Sequence, residues 1–286
     1  MTGAAARGAV YNARMSSTTN RPGGRSPAAL RPVSLALGAI KFAEGSALID
    51  MGDTRVLTTA TIERRVPPFL IDSGKGWATA EYAMLPRATS RRNVRERNTG
   101  RTKGRSAEIQ RLIGRSLRAA LDLAALDGHT LTLDCDVLQA DGGTRTAAIT
   151  GAWCAAVDGL AKVLLTGDLE RWPIVRQVAG VSVGLVAGRA LLDLEAVEDQ
   201  GADVDLNVVA ADDGTLIEVQ GTGERTTFTR GELDELLDLA QQGLAELFEI
   251  QRRAVAPILE EVEASRSRRS RKPAAPRDEK DLWGRP

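Results

Sequence analysis

Aromatic residues make up only 3% of this 286-residue chain, histidine occurs once, and cysteine twice. Two distant cysteines and a single His129 cannot assemble the four-ligand set of a structural zinc site. Cys135 and Cys154 each sit in apolar sequence and read as small core residues, with no disulfide framework to belong to. His129 follows Asp127-Gly128 and is expected in a surface turn. No run approaches the roughly 18 to 20 contiguous apolar residues of a membrane span, and the N-terminus lacks the apolar core of a signal peptide. The expectation is a soluble, cytoplasmic protein without a membrane partner. A Gly-Lys-Ser/Thr ending to a glycine loop is also missing, which argues against an ATPase of the P-loop type.

What is present is a 43% apolar composition, enough for a sizeable core, and zero formal net charge that is unevenly spread. From Arg87 to Arg118 there are eleven Arg or Lys against two Glu, whereas Asp193 to Asp205 holds six acidic residues and no basic one. Residues 1–20 are small and polar without an apolar period, and are expected to be disordered. Residues 264–286 carry eight basic and three acidic groups and read as a solvated basic tail. A single catalytic domain over 21–263 is expected between them.

Within that span, strand and helix patterns alternate. Ser46–Met51 and Thr54–Ile62 flank Gly52-Asp53 as a hairpin. Ser106–Leu126 is apolar at helical spacing with Arg111, Arg115 and Arg118 on another face. Leu131–Leu138 reads as a strand, and Thr146–Leu165 as a helix so apolar that it must be largely buried. Val178–Val186 with Arg189–Leu194, and Val204–Ala210 with Thr215–Gln220, form two further hairpins. Thr229-Arg-Gly-Glu232 is a capping box opening a long final helix. Hairpins followed by a helix, twice over, predict an α+β fold of duplicated βαβα-type halves, each a sheet covered by helices.

Three constellations carry chemistry. The run Leu133-Asp-Cys-Asp-Val-Leu-Gln-Ala-Asp-Gly-Gly-Thr-Arg-Thr146 takes a strand through a glycine turn into the apolar helix. Gly142, Gly143, Thr144 and Arg145 then stand at a helix N-terminus, where unpaired amides, the positive dipole end, a hydroxyl and a guanidinium suit a phosphate-sized anion. A glycine pair before a helix more often merely caps it, so this turn does not decide the matter alone. Asp199 and Asp205, read in a loop entering a strand, would suit magnesium, although such an acidic loop is as readily just solvated. Arg87, Arg91, Arg92 and Arg95 form a basic cluster, with Arg105 at the start of the arginine-faced helix. Such a stripe tracks a nucleic-acid backbone, and with few aromatics nearby the binding would tolerate any sequence. Together the three point to phosphoryl transfer on nucleic acid.

These residues also carry a family resemblance. The runs Arg21-Pro-Gly-Gly-Arg-Ser26, Ala43-Glu-Gly-Ser46, Gly76-Trp-Ala-Thr-Ala-Glu-Tyr82 with Met84-Leu-Pro-Arg87, Glu108-Ile-Gln-Arg-Leu-Ile113, the glycine-turn run above and Glu218-Val-Gln-Gly-Thr222 closely resemble bacterial ribonuclease PH, colinearly from about Arg21 to Ala256. The resemblance implies the fold shared with ribosomal protein S5 domain 2 and a homohexameric ring built as a trimer of dimers. It implies a reversible, phosphorolytic 3′ exoribonuclease that trims transfer RNA precursors, with ribosomal RNA as a further substrate class. Inorganic phosphate is the co-substrate and nucleoside diphosphates are released. Phosphate would be held by Arg105, Gly143, Thr144 and Arg145. Asp199 and Asp205 would bind Mg2+ and assist the leaving group, and Arg87, Arg92 and Arg95 would guide RNA. The rival readings are a noncatalytic RNA-binding ring subunit and a hydrolytic nuclease.

Overall fold

The computed structural model describes residues 21–95 and 104–270 of the chain. The first half begins with strand β1 (Val33–Leu37), then the hairpin β2 (Gly45–Met51) and β3 (Thr54–Glu63), then β4 (Trp77–Met84). Helix α1 (Gly104–Ala119) crosses over to β5 (Thr130–Gln139). The five strands lie in the order β1-β2-β3-β5-β4, antiparallel except for the β4–β5 pair, whose parallel alignment is what the intervening helix permits. Helix α2 (Thr144–Thr166) follows directly.

The second half is a four-stranded sheet in the order β7-β6-β8-β9, made from β6 (Val178–Val186), β7 (Arg189–Leu192), β8 (Val204–Ala211) and β9 (Leu216–Gly223). A short helix α3 (Ala196–Gly201) joins β7 to β8, and helix α4 (Arg230–Ser270) closes the described chain. The α+β expectation therefore holds, with two hairpin-built sheets each followed by a long helix.

Helix α2 is the piece on which the halves meet. It packs on β2, β3 and β5 on one side and on β6 and α4 on the other. By length and a mean hydropathy of 1.4 it is the one described helix able to cross a membrane, but 83% of that stretch is buried inside the protein, so its apolarity serves the core. The helix lies so close to β2 that a Cβ at Gly45 would stand 2.1 Å from the Ala155 carbonyl oxygen and 2.3 Å from the Gly159 nitrogen. Both obstacles are backbone and cannot swing aside. Gly45→Ala is therefore expected to destabilise by about 3 kcal/mol, as overpacking does, lowering Tm by roughly 10 °C. A melting curve matching the wild type would show that α2 can retreat from the sheet.

Several sequence expectations are corrected. The helix expected to reach Leu126 ends at Ala119, because Leu121 bridges Ile174 and residues after it turn back toward β5. His129 is buried, not in a surface turn. Its backbone oxygen accepts from Trp77 and its Nδ1 lies 2.8 Å from the Leu126 carbonyl oxygen, so the turn folds under the start of β4. Helix α4 continues to Ser270, past residue 263 where the basic tail was expected to begin. Buried Val262 anchors its last turns, and no proline interrupts the sequence from there until Pro273. The short strand β1 and the strand β4 were not anticipated as elements. The N-terminal extension 1–20 and residues 271–286 lie outside the described residues. Cys135 and Cys154 are buried as expected, and burial pushes both thiols well above the usual range, leaving them inert.

Candidate active site

A cavity of about 490 Å3 opens where the end of the first sheet meets the second. Its lining includes Arg105, Gly142, Gly143, Thr144 and Arg145 from the first half, and Asp199 and Asp205 from the second. Residues 100 positions apart in sequence, Arg105 and Asp205, thus share one concave site, and the volume is that of a small-molecule pocket.

The anion side is built from β5 running into α2. Gly142 and Gly143 have φ of 80° and 64°, a left-handed backbone that glycine adopts without strain, and Gly143 is the N-cap residue of α2. Among the described residues, the amides of Gly142, Gly143 and Thr144 donate to no protein acceptor. They stand free at the positive end of a 23-residue helix, the arrangement that binds oxyanions. Thr144 Oγ1 shares a 2.8 Å hydrogen bond with the buried Tyr82 hydroxyl. Arg145 Nη1 donates to Gln220 Oε1 at 2.7 Å, and Gln220 Nε2 donates in turn to Glu108 on α1. Arg105 stands in the first turn of α1, exposed except for the face it presents to the cavity.

The acidic side differs from its expected setting. Asp199 lies on helix α3, not in a loop, and Asp205 lies within β8, opposite Gly184 on β6 and Thr222 on β9. Asn207, one pleat further along β8, lines the same cavity, as do Ser182 and Glu224. Neither aspartate accepts a hydrogen bond from a side chain among the described residues. Burial, followed by the nearby Asp199 charge, pushes Asp205 up to about 6. Asp199 is raised as well, first by burial, with Arg105 and Arg145 pulling it back. Two carboxylates lining one cavity without cationic partners in contact are a donor set that could hold a cation. No group of three or more His, Cys, Asp or Glu side chains close enough to cage a metal exists among the described residues. A magnesium ion would need only one or two carboxylates, keeping water or substrate oxygens for the rest of its shell.

A pH dependence follows from the sign of the Asp205 shift. A cation must displace the proton that Asp205 carries below about 6. At pH 5 the magnesium concentration for half-saturation is expected to be about ten times that at pH 7.5. Calorimetric titration of the protein with magnesium at the two pH values measures it directly, and equal affinities would exclude Asp205 as a ligand.

The RNA-guiding arginines are placed differently from the rest. Arg87, Arg92 and Arg95 are exposed on the segment that leaves β4, and none lines the cavity, although Thr89 and Asn93 of the same segment do. Burial raises Asp136, and the nearby Arg95 guanidinium offsets part of that rise. The residues sequence reasoning passed over are Tyr82, Glu108, Ser182, Asn207, Gln220 and Glu224. Asn207 carried a signal in its two-residue spacing after Asp205 on a strand, and Tyr82, Glu108 and Gln220 lay within the runs that carry the family resemblance.

Two family models match the chain: the 3′ exoribonuclease family, domain 1, over residues 29–159, and the same family, domain 2, over residues 176–243. Among solved structures, Rrp46 of rice (Oryza sativa) is 20% identical with a TM-score of 0.66, the match covering 84% of this chain and 100% of that one. The Archaeoglobus fulgidus exosome with RNA bound to the active site is 24% identical with a TM-score of 0.68, over 81% of this chain and 92% of the other. An archaeal exosome core is 23% identical with a TM-score of 0.64, over 82% and 91%. At these identities the structural likenesses establish the fold.

Proposed function

Since the chain belongs to the 3′ exoribonuclease family, we propose that it is a phosphorolytic enzyme of the bacterial ribonuclease PH type, trimming the 3′ ends of transfer RNA precursors, and of ribosomal RNA, in the cytoplasm. The observation that carries this reading is the single cavity that sets a cradle of free amides and two arginines across from an acidic pair. A hydrolase attacks with water and has little use for a separate anion cradle. A noncatalytic subunit has no use for two carboxylates buried in one cavity at the cost of their acidity.

Inorganic phosphate, held by Arg105, Arg145, Thr144 and the amides of Gly143 and its neighbours, attacks the phosphorus of the last phosphodiester. The P–O3′ bond of the preceding nucleotide breaks, and a nucleoside diphosphate leaves. The proton carried by HPO4 2− balances the one taken up by the 3′ oxygen, so no external acid is consumed, and Asp205 or a metal-bound water would relay it. Asp199 and Asp205 would hold a magnesium ion, which when bound neutralises charge on the scissile phosphate. The chain itself contributes position and fixed charge, with no protein nucleophile. Exchange of one phosphate linkage for another is near equilibrium, so excess nucleoside diphosphate extends the RNA. Arg87, Arg92 and Arg95, exposed beside the mouth of the cavity, are charged as a backbone track requires.

A ring of six built from three dimers is part of the same proposal. Val197, Leu216 and Val219 are exposed apolar residues on the second half of the isolated chain, surface that association would cover. Mass measurement in solution tests the ring. One assay tests the chemistry: RNA is incubated with and without inorganic phosphate and the mononucleotide product is identified. Diphosphate appearing only with phosphate supports phosphorolysis, monophosphate means hydrolysis, and no product means an RNA-binding subunit.

A further inference from the structure

Arg31 lies outside the cavity, almost wholly buried, immediately before β1 and more than 100 residues from the glycine turn in sequence. Its Nη1 donates to the Asp141 carbonyl oxygen at 2.5 Å and its Nη2 to the Gly142 carbonyl oxygen at 3.4 Å. Thr54 Oγ1 also donates to the Gly142 oxygen, at 2.6 Å, and accepts from the Asp141 amide at 2.9 Å. In a trans peptide the C=O and the following N–H point in opposite directions. Pulling the carbonyls of 141 and 142 toward Arg31 and Thr54 therefore turns the amides of Gly142 and Gly143 the other way, which is the orientation that leaves them without a protein acceptor.

The same guanidinium is anchored in the second half. Arg31 Nε and Nη2 reach the two oxygens of Asp193 at 2.9 and 2.7 Å, and the Arg31 amide donates to Asp193 at 2.8 Å. Asp193 is fully buried and holds a left-handed backbone, φ 55°, uncommon for a residue other than glycine. The residues after it run under the glycine turn, where a Cβ at Gly142 would be 2.4 Å from the Leu194 oxygen, and lead into the helix that carries Asp199. A buried ion pair contributes little net stability by comparison with apolar packing, and its best-attested use is to define a unique arrangement.

We propose that Arg31, locked by Asp193, is a positioning residue that aims the amides of the glycine turn and fixes their registry against the acidic helix, so that affinity for phosphate is set from outside the cavity. This role rests on the phosphate site proposed above. A planar fork is needed to hold two carbonyls and a carboxylate at once, so a lysine, with one compact ammonium, cannot replace it.

The test compares wild type with Arg31→Lys, Arg31→Ala and Thr54→Val, the last a change of similar shape that removes the hydroxyl from both the Gly142 carbonyl and the Asp141 amide and leaves Arg31 in place. Orthophosphate binding is measured by calorimetry, and the KM for phosphate and for RNA by phosphorolysis. Arg31→Lys is expected to raise the KM for phosphate by about 100-fold, the scale of a small misplacement at a preorganised site, with the KM for RNA within twofold. Thr54→Val should shift the phosphate KM in the same direction by a smaller factor, which keeps the proposal testable if the Arg31 variants do not fold. Added guanidinium ion should restore phosphate affinity in Arg31→Ala. A merely structural role would move both KM values together and would not be rescued, and either result overturns the proposal. Orthophosphate failing to bind wild type would overturn the phosphate site itself. Wild type binding with variants unaltered would overturn only the role of Arg31.

Discussion

Asp205→Asn is expected to reduce turnover by at least ~10^3-fold, the scale seen when a preorganised charged group is removed from the reacting centre. Asparagine keeps the shape and removes both the negative charge and the capacity to relay a proton. Affinity for RNA should stay within twofold, because the exposed arginines 87, 92 and 95 do not line the cavity. Single-turnover cleavage and filter binding on the same preparation separate the two quantities, and unchanged turnover would remove Asp205 from the mechanism. Stability supplies a second readout with a definite sign. The folded protein raises Asp205 from its ordinary value to about 6, so the neutral form is favoured by folding. The associated stabilisation is complete below the unfolded value and is lost as pH rises through about 6. At pH 8 without magnesium, Asp205→Asn should therefore melt at a higher temperature than wild type, and at pH 3.5 the difference should vanish.

Arg105→Ala is expected to raise the phosphate concentration needed for half-maximal phosphorolysis by about 100-fold, since a charge-assisted bond to a partly desolvated anion contributes roughly 2 to 3 kcal/mol. Arg105 is exposed and lies in the first turn of α1, so the melting temperature should hardly change. Arg105→Lys should recover part of the loss, because it restores the charge without the paired donors. The same substitution should leave magnesium affinity nearly intact, which distinguishes loss of the anion cradle from collapse of the whole cavity. A phosphate dependence identical to wild type would contradict the assignment of this residue.

Local chemistry made much of this protein legible from its sequence. The hairpin across Gly52-Asp53, the largely apolar α2 and the Thr229–Glu232 capping box each declare themselves within a few residues, and each is present as read. The glycine turn was equally plain, because its amides, hydroxyl and guanidinium are consecutive. Elements whose boundaries depend on partners were less legible. Helix α1 stops at Ala119 because the next residues pair with a segment some fifty positions away, a contact that helical periodicity does not contain. Burial of His129 depends on β4 passing over it, and β4 was itself unanticipated as a strand.

The residue types of a phosphate cradle, an acidic pair and a basic stripe, and their places along the chain, were determined by sequence alone. Only the tertiary structure decided that the glycine turn, Arg105 and the acidic pair line one cavity while Arg87, Arg92 and Arg95 stay outside it. It also decided that Arg31 and Thr54 hydrogen-bond the carbonyls of Asp141 and Gly142, and that Gln220 links Arg145 to Glu108. The reason is physical. Secondary structure is set by neighbours in sequence, whereas these juxtapositions follow from how two sheets pack on the two sides of α2, and that packing is governed by apolar surfaces that name no catalytic residue.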